Sequence, residues 1–209
     1  IPYCRSRCGY CAFVSYACPG RPPAGYLSAV QEELVRMAEN PWSRERVFDS
    51  IFIGGGTPTV YSGKDLASLL FTCFEYFNFT SSPEISVETN PNTVDREKLT
   101  GLLHAGVNRL SIGVQSFNDD ILAGIGRTHT AKEAHTAIEI ARHTGFDNLN
   151  IDLICGLPGH DADCWQNDLK QALSFSPEHI AIYNLTVEEG TDLANRVAKG
   201  QVTLPEEDM

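Results

Sequence analysis

The sequence predicts an α/β fold built on a curved parallel sheet, an incomplete barrel with helices outside and a polar concave face. Two observations carry this expectation. First, short apolar runs alternate with amphipathic helical segments, the pattern of parallel strands joined by helical crossovers. Second, three of those runs alternate residue by residue, greasy on one face and polar on the other. Strands sandwiched between two helical layers would be greasy on both faces. A closed eight-stranded barrel would fill its interior with Val, Ile and Leu. An antiparallel sheet with one wet face is the competing reading, and the helices between the strands speak against it.

The elements follow in order. Gly25 to Asn40 is the first helical segment, and Ile51–Ile53 the first apolar run. From Lys64 to Phe77, the residues Leu66, Leu69, Leu70, Cys73, Phe74 and Phe77 recur at helical spacing on one stripe. In the run around Ile85–Val87, Ile85 and Val87 share one face, Ser86 and Glu88 the other. Asp95 to Ala105 is helical, and Gly106 sits where that helix should stop. In Arg109–Val114, Leu110, Ile112 and Val114 oppose Ser111, Gly113 and Gln115. Thr130 precedes a helix over Ala131 to Thr144, with Gly145 as its stop. In Leu149–Ile154, Leu149, Ile151 and Leu153 oppose Asn148, Asn150 and Asp152. Asp161 opens a helix reaching Phe175, and Ile180–Leu185 is the last run.

Composition narrows the function. The chain has 209 residues, of which 42% are hydrophobic and 21% charged, enough apolar matter for a core of one domain. Its net charge of −11 repels phosphate backbones, so nucleic-acid binding is not expected. No run of about 18 apolar residues occurs, so no transmembrane segment is expected. The chain opens Ile1-Pro2-Tyr3-Cys4 without a basic segment and an apolar stretch, so no signal peptide is expected and a cytoplasmic location is.

Seven cysteines cannot all pair. Cys4, Cys8 and Cys11 are spaced so that their thiolates can converge on one soft metal centre. A structural zinc completed by Cys18 or a histidine is the serious competitor. An iron–sulfur cluster on three cysteines would leave one iron open for a small molecule. Cys73 reads as a core residue, Cys155 as buried at a strand end, and Cys164 as incidental.

With these residues in view, the chain resembles the radical S-adenosylmethionine (SAM) family. The resemblance rests on Cys4-x3-Cys8-x2-Cys11, Ile53-Gly54-Gly55-Gly56-Thr57-Pro58, Val87-Glu88-Thr89-Asn90-Pro91, Asn108 to Phe117, Gly126-Arg127-Thr128-His129 and Ile151 to Gly159. These segments, in order along nearly the whole chain, are similar to the branch holding oxygen-independent coproporphyrinogen III dehydrogenases (oxidases) and HemW-like heme chaperones.

The resemblance implies a partial (β/α)6 TIM-like barrel spanning residues 1–209, its first strand mostly missing and the family's C-terminal domain absent. It implies a 4Fe-4S cluster on Cys4, Cys8 and Cys11, with SAM chelating the open iron. An electron from the cluster would cleave the S–C5′ bond and give a 5′-deoxyadenosyl radical. Gly54, Gly55, Gly56 and Thr57 would border the SAM amine. Glu88 would meet its amine or ribose, and a salt bridge to Arg109 is the alternative. Gln115 and Asp152 would meet ribose hydroxyls. Arg127 would clamp a carboxylate, with a surface ion pair as alternative. Tyr10 would shield the cofactor. His129 is open between a motif role and a water-facing helix start. His104, His135, His143, His160 and His179 show no ligand spacing. Glu188-Glu189 and Glu206-Glu207-Asp208 read as solvated charge.

Phe13 separates the branches. The dehydrogenases resemble Cys-x3-Cys-x2-Cys-x-Cys, and here the last of those positions is Phe13, as in the heme-chaperone branch, although Ala12 departs from the acidic residue usual before it. The implied partners are SAM, heme or a porphyrinogen, a heme-acceptor protein and an electron donor. A radical oxidase of porphyrinogen propionates is the alternative activity.

Overall fold

The structure is a computed structural model that describes residues 1–206. Five parallel strands, β3 (Val47–Ile53), β4 (Asn78–Thr89), β5 (Arg109–Gln115), β6 (Leu149–Cys155) and β7 (His179–Asn184), lie side by side in chain order. They curl into a half-barrel of the predicted class. Two short strands, β1 (Tyr3–Cys4) and β2 (Tyr16–Ala17), flank the cysteine loop and pair with each other. The backbone of residues 1–3 runs along Gly54–Thr57, with Gly56 N–H donating to the Ile1 carbonyl at 2.7 Å and Thr57 N–H to that of Tyr3 at 2.8 Å.

The helices are α1 (Ala24–Ala38), α2 (Pro41–Arg44), α3 (Gly63–Tyr76), α4 (Arg96–His104), α5 (Asp119–Gly124), α6 (Ala131–Thr144), α7 (Ala162–Ser174) and α8 (Asp192–Ala198). Their boundaries follow local chemistry. Ser62 with Asp65, and Thr130 with Glu133, form reciprocal capping boxes at α3 and α6. Gly145 ends α6 at φ 108°, a left-handed conformation that costs glycine nothing.

Sheet parity decides where the core sits. Leu110, Ile112, Leu149 and Ile151 point outward and are fully buried against Leu66, Leu70, Leu102 and Ile138 from the helices. Each such side chain contributes about 1.5–3 kcal/mol through burial. The opposite parity lines the concave side, where Ser86, Ser111 and Asn150 are buried but hydrogen-bonded. Arg109 donates to Ser86 at 3.2 Å, and Asn150 to Ser111 at 2.7 Å. A buried polar group is tolerable only when it is paired in this way.

Two expectations need correction. The apolar stripe of α3 is covered only in its first half: Leu66, Leu69 and Leu70 are buried, Cys73 is half-buried, and Phe74 is exposed. The C-terminal end of the helix instead joins an aromatic cluster at the start of β3 and β4, in which Phe74 meets Phe79 at 5.2 Å and Phe77 meets Phe48 at 5.6 Å between ring centres. Cys155 is half-buried rather than buried. Glu188, Glu189 and Glu206 are exposed, while Glu207 and Asp208 lie outside the described residues.

Candidate functional site

The C-terminal ends of the strands and the cysteine loop enclose a cavity of about 410 Å³. This is the end of a parallel sheet where ligands gather, because the loops there converge on one place. Cys4, Cys8, Tyr10, Cys11, Gly55, Gly56, Thr57, Glu88, Gln115, Arg127 and Asp152 all line it, and of the sequence-predicted residues only Gly54 does not. Gly54 stands behind the wall. A Cβ there would meet Glu88 Oε2 at 2.8 Å, so its missing side chain is what makes room for that carboxylate.

The cysteine loop is strapped from two sides. Gly9 N–H donates to the Ile125 carbonyl at 2.9 Å, and Leu193 N–H to that of Gly9 at 2.8 Å. Tyr10 packs on a second small core of Ile121, Ile125, Ile154 and Leu157. Burial raises its phenol pKa well above the ordinary value, so it is a neutral cover on the cavity. Thr57 Oγ1 lies 3.5 Å from Cys4 Sγ, and a Cβ on Gly56 would come within 3.0 Å of the same sulfur. All seven cysteines are free thiols.

Cys4, Cys8 and Cys11 fit an iron–sulfur cluster better than a single ion. Sulfurs sharing one zinc at about 2.3 Å bonds stand less than about 4.6 Å apart. Among the described residues, only His160, Cys164 and Asp168 bring three ligand atoms within 4.8 Å of one another. The loop thiols are spread more widely, as a multi-iron body requires. Cys18 does not line the cavity; its thiol faces the carbonyls of Gly20 and Arg21.

The carboxylates are held by hydrogen bonds within the chain. Glu88 Oε2 accepts from Gly55 N–H at 3.0 Å, and burial raises its pKa. No ion pair joins Glu88 to Arg109, which reaches Ser86 instead. Asp152 accepts from Ser111 at 3.0 Å and from Asn150 at 2.5 Å. Burial nevertheless pushes its pKa up to about 6, because those bonds only partly offset desolvation. Arg127 is not in a surface ion pair. Its guanidinium donates to the Gly113 carbonyl, sits 3.6 Å from Cys8 Sγ, and keeps its buried Nε without a partner.

Gln115 reaches the cavity through a break in β5. The register slips between Gly113 and Gln115, and Gln115 takes φ +72°, rare for a residue with a side chain. His129 holds this bulge. It is buried, contacts the Val114 carbonyl through Nε2 at 3.2 Å, and precedes the helix start at Ala131. The water-facing reading of His129 is therefore wrong, and burial beside Arg127 lowers its pKa to about 3.

One cluster escaped the sequence reading. His160, Cys164 and Asp168 recur every fourth residue, a helical spacing that was there to be seen. Leu157 N–H donates to His160 Nδ1 at 3.2 Å, so the neutral ring carries its proton on Nε2, which faces Asp168 Oδ2 at 3.4 Å. Asp168 Oδ1 accepts Phe117 N–H at 2.7 Å. His160 and Asp168 thus form a buried pair between the loop after β6 and α7, and the two facing atoms have no other partner.

The comparisons with known proteins agree with this geometry. Heme chaperone HemW of Haemophilus influenzae is 40% identical over 100% of this chain and 54% of its own length. The Bacillus subtilis protein of that name is 40% identical over 98% of this chain and 54% of its own length. The chain thus spans about half the length of the curated relatives it matches. Among solved structures, coproporphyrinogen III oxidase (HemN) of Escherichia coli superposes with a TM-score of 0.86 at 29% identity, over 100% of this chain and 48% of that one. The profile of the Radical SAM superfamily matches residues 1–172, which include the three loop cysteines, the strand-end glycines and the cavity carboxylates. The half-barrel, the cavity at its strand ends and that match place this chain in the radical SAM superfamily.

Proposed function

We propose that the cavity holds SAM against a 4Fe-4S cluster carried by Cys4, Cys8 and Cys11, and that the protein acts in heme metabolism as a heme chaperone. The observation that carries the chaperone reading is Phe13. It stands two residues after Cys11, where the oxidase pattern has a fourth cysteine, and it is 68% exposed on the cavity rim. Relatives named as heme chaperones at 40% identity support the same reading.

The cluster with SAM supplies one-electron reductive cleavage chemistry when bound. The chain's own residues do the positioning. Gly55 and Gly56 bring backbone close to the ligand, since a Cβ at either would strike residues 1–3 at 2.8–2.9 Å. Glu88, pinned by Gly55 N–H, offers its free oxygen to a cation such as the SAM amine. Asp152 and Gln115, on adjacent strands, would meet the ribose hydroxyls. Arg127 has a free buried N–H for a carboxylate, and Tyr10 keeps water from the thiolates.

A second reading, oxidation of porphyrinogen propionates, is favoured by the superposition on the E. coli oxidase over the whole chain. Incubating the reconstituted protein with SAM, a reductant and coproporphyrinogen III separates the two. Tight heme binding without turnover is the expected result. Formation of protoporphyrinogen would overturn the chaperone reading.

A further inference from the structure

Residues 1–23 carry three arginines and no acidic residue, in a chain with 27 Asp and Glu and a net charge of −11. The cysteine loop is therefore a basic stretch in an acidic protein. Arg5 and Arg7 line the outer part of the cavity and are exposed. Each touches a backbone carbonyl, Arg5 that of Asn92 at 2.5 Å and Arg7 that of Cys11 at 3.3 Å. Neither has a carboxylate partner among the described residues. A guanidinium bound only to neutral carbonyls keeps most of its capacity for an anion.

The same loop exposes apolar surface. Phe13 is 68% and Val14 80% exposed, neighbours in sequence, and Phe13 lines the cavity together with Arg5 and Arg7. Ser15 also borders the cavity, and its enclosed hydroxyl has no partner. An aromatic ring and an aliphatic side chain beside two free cations match a ligand that is flat, apolar and edged with carboxylates. A cavity of about 410 Å³ is at the small end for organic ligands, so with SAM inside it a macrocycle would rest on its rim.

We propose that the cysteine loop is the docking face for a carboxylate-bearing tetrapyrrole, with Arg5 and Arg7 holding its propionates and Phe13 and Val14 covering one face of the ring. This rests on the heme reading above and adds to it the residues and the ligand groups that meet. An acidic protein would need a patch of roughly 800 Å², far beyond two arginines at a cavity mouth.

The test is equilibrium dialysis of hemin and of hemin dimethyl ester against the cluster-loaded protein. The ester keeps the macrocycle and removes both negative charges. The Arg5→Gln/Arg7→Gln variant should bind hemin roughly three- to tenfold more weakly, the range for exposed to partly buried charge-assisted bonds, and the ester unchanged. Phe13→Ser should weaken both ligands. Iron content and thermal melting report that each variant remains folded and loaded. Wild-type hemin affinity in the arginine variant would overturn this docking face while leaving the heme reading intact, as would equal losses for hemin and ester. Failure of the wild-type protein to bind hemin would overturn both.

Discussion

Phe117 N–H donates to Asp168 Oδ1 at 2.7 Å across 51 residues of sequence, in a fully buried contact. This bond fixes the chain two residues beyond Gln115, whose left-handed backbone aims it into the cavity. The other oxygen of Asp168 faces His160, so one side chain joins the segments after β5 and β6 to α7. Asp168→Ala strands both a buried N–H and the His160 ring, and is expected to cost about 3 kcal/mol. Asp168→Asn keeps an acceptor for Phe117 and should recover about half of that. Urea denaturation of the three proteins measures it; equal loss in both variants would show that the charge, not the Phe117 bond, matters.

The His129 imidazole is kept neutral by burial, its pKa lowered to about 3 from an ordinary 6.5. Between those values the unfolded chain binds a proton that the folded chain does not, so this group makes stability fall as pH falls below 6.5. The slope from this site is about 1.4 kcal/mol per pH unit. Asp152 works in the opposite direction: its raised pKa of about 6 means that it contributes less stability as pH rises from 3.8 to 6. The difference between wild type and His129→Gln, not the raw curve, therefore isolates His129. Unfolding free energies measured from about pH 5 to about pH 7 should converge at the acid end. Parallel curves would contradict a buried neutral His129.

Much of the site was legible in the sequence because the chemistry sits on regular elements. Strand parity put Ser111 and Asp152 on the concave face, and glycines at a strand end marked the close approach at Gly55 and Gly56. What stayed hidden depends on contacts between distant segments. His129 is buried against the Val114 carbonyl at a bulge in β5, and a bulge shifts parity by one residue without a clear local mark. The straps on the cysteine loop join Gly9 to Ile125 and Leu193, more than a hundred residues away. Phe74 stays 40% exposed although it packs on Phe79, because a helical period marks a stripe but not how much of it the sheet covers.

Gly56 gives a steric test. A Cβ there would lie 2.8 Å from the Tyr3 carbonyl and 3.0 Å from Cys4 Sγ, pushing the cysteine loop away from the strand ends. Gly56→Ala should lower the iron bound per chain by more than half while the protein still folds. Gly25→Ala, with nothing within 4 Å of the new methyl, should bind iron normally and gain about 0.5–1 kcal/mol as a helix residue. Full iron loading in Gly56→Ala would mean that the loop does not depend on this contact.

The most direct measurement is iron and acid-labile sulfide per chain after anaerobic reconstitution of the wild type and of Cys4→Ser, Cys8→Ser, Cys11→Ser and Cys18→Ser. The expected result is about four of each in the wild type and in Cys18→Ser, and a large loss in each of the other three. Retention of one zinc in place of iron, or loss of the metal in Cys18→Ser, would contradict a three-cysteine cluster at the mouth of this cavity.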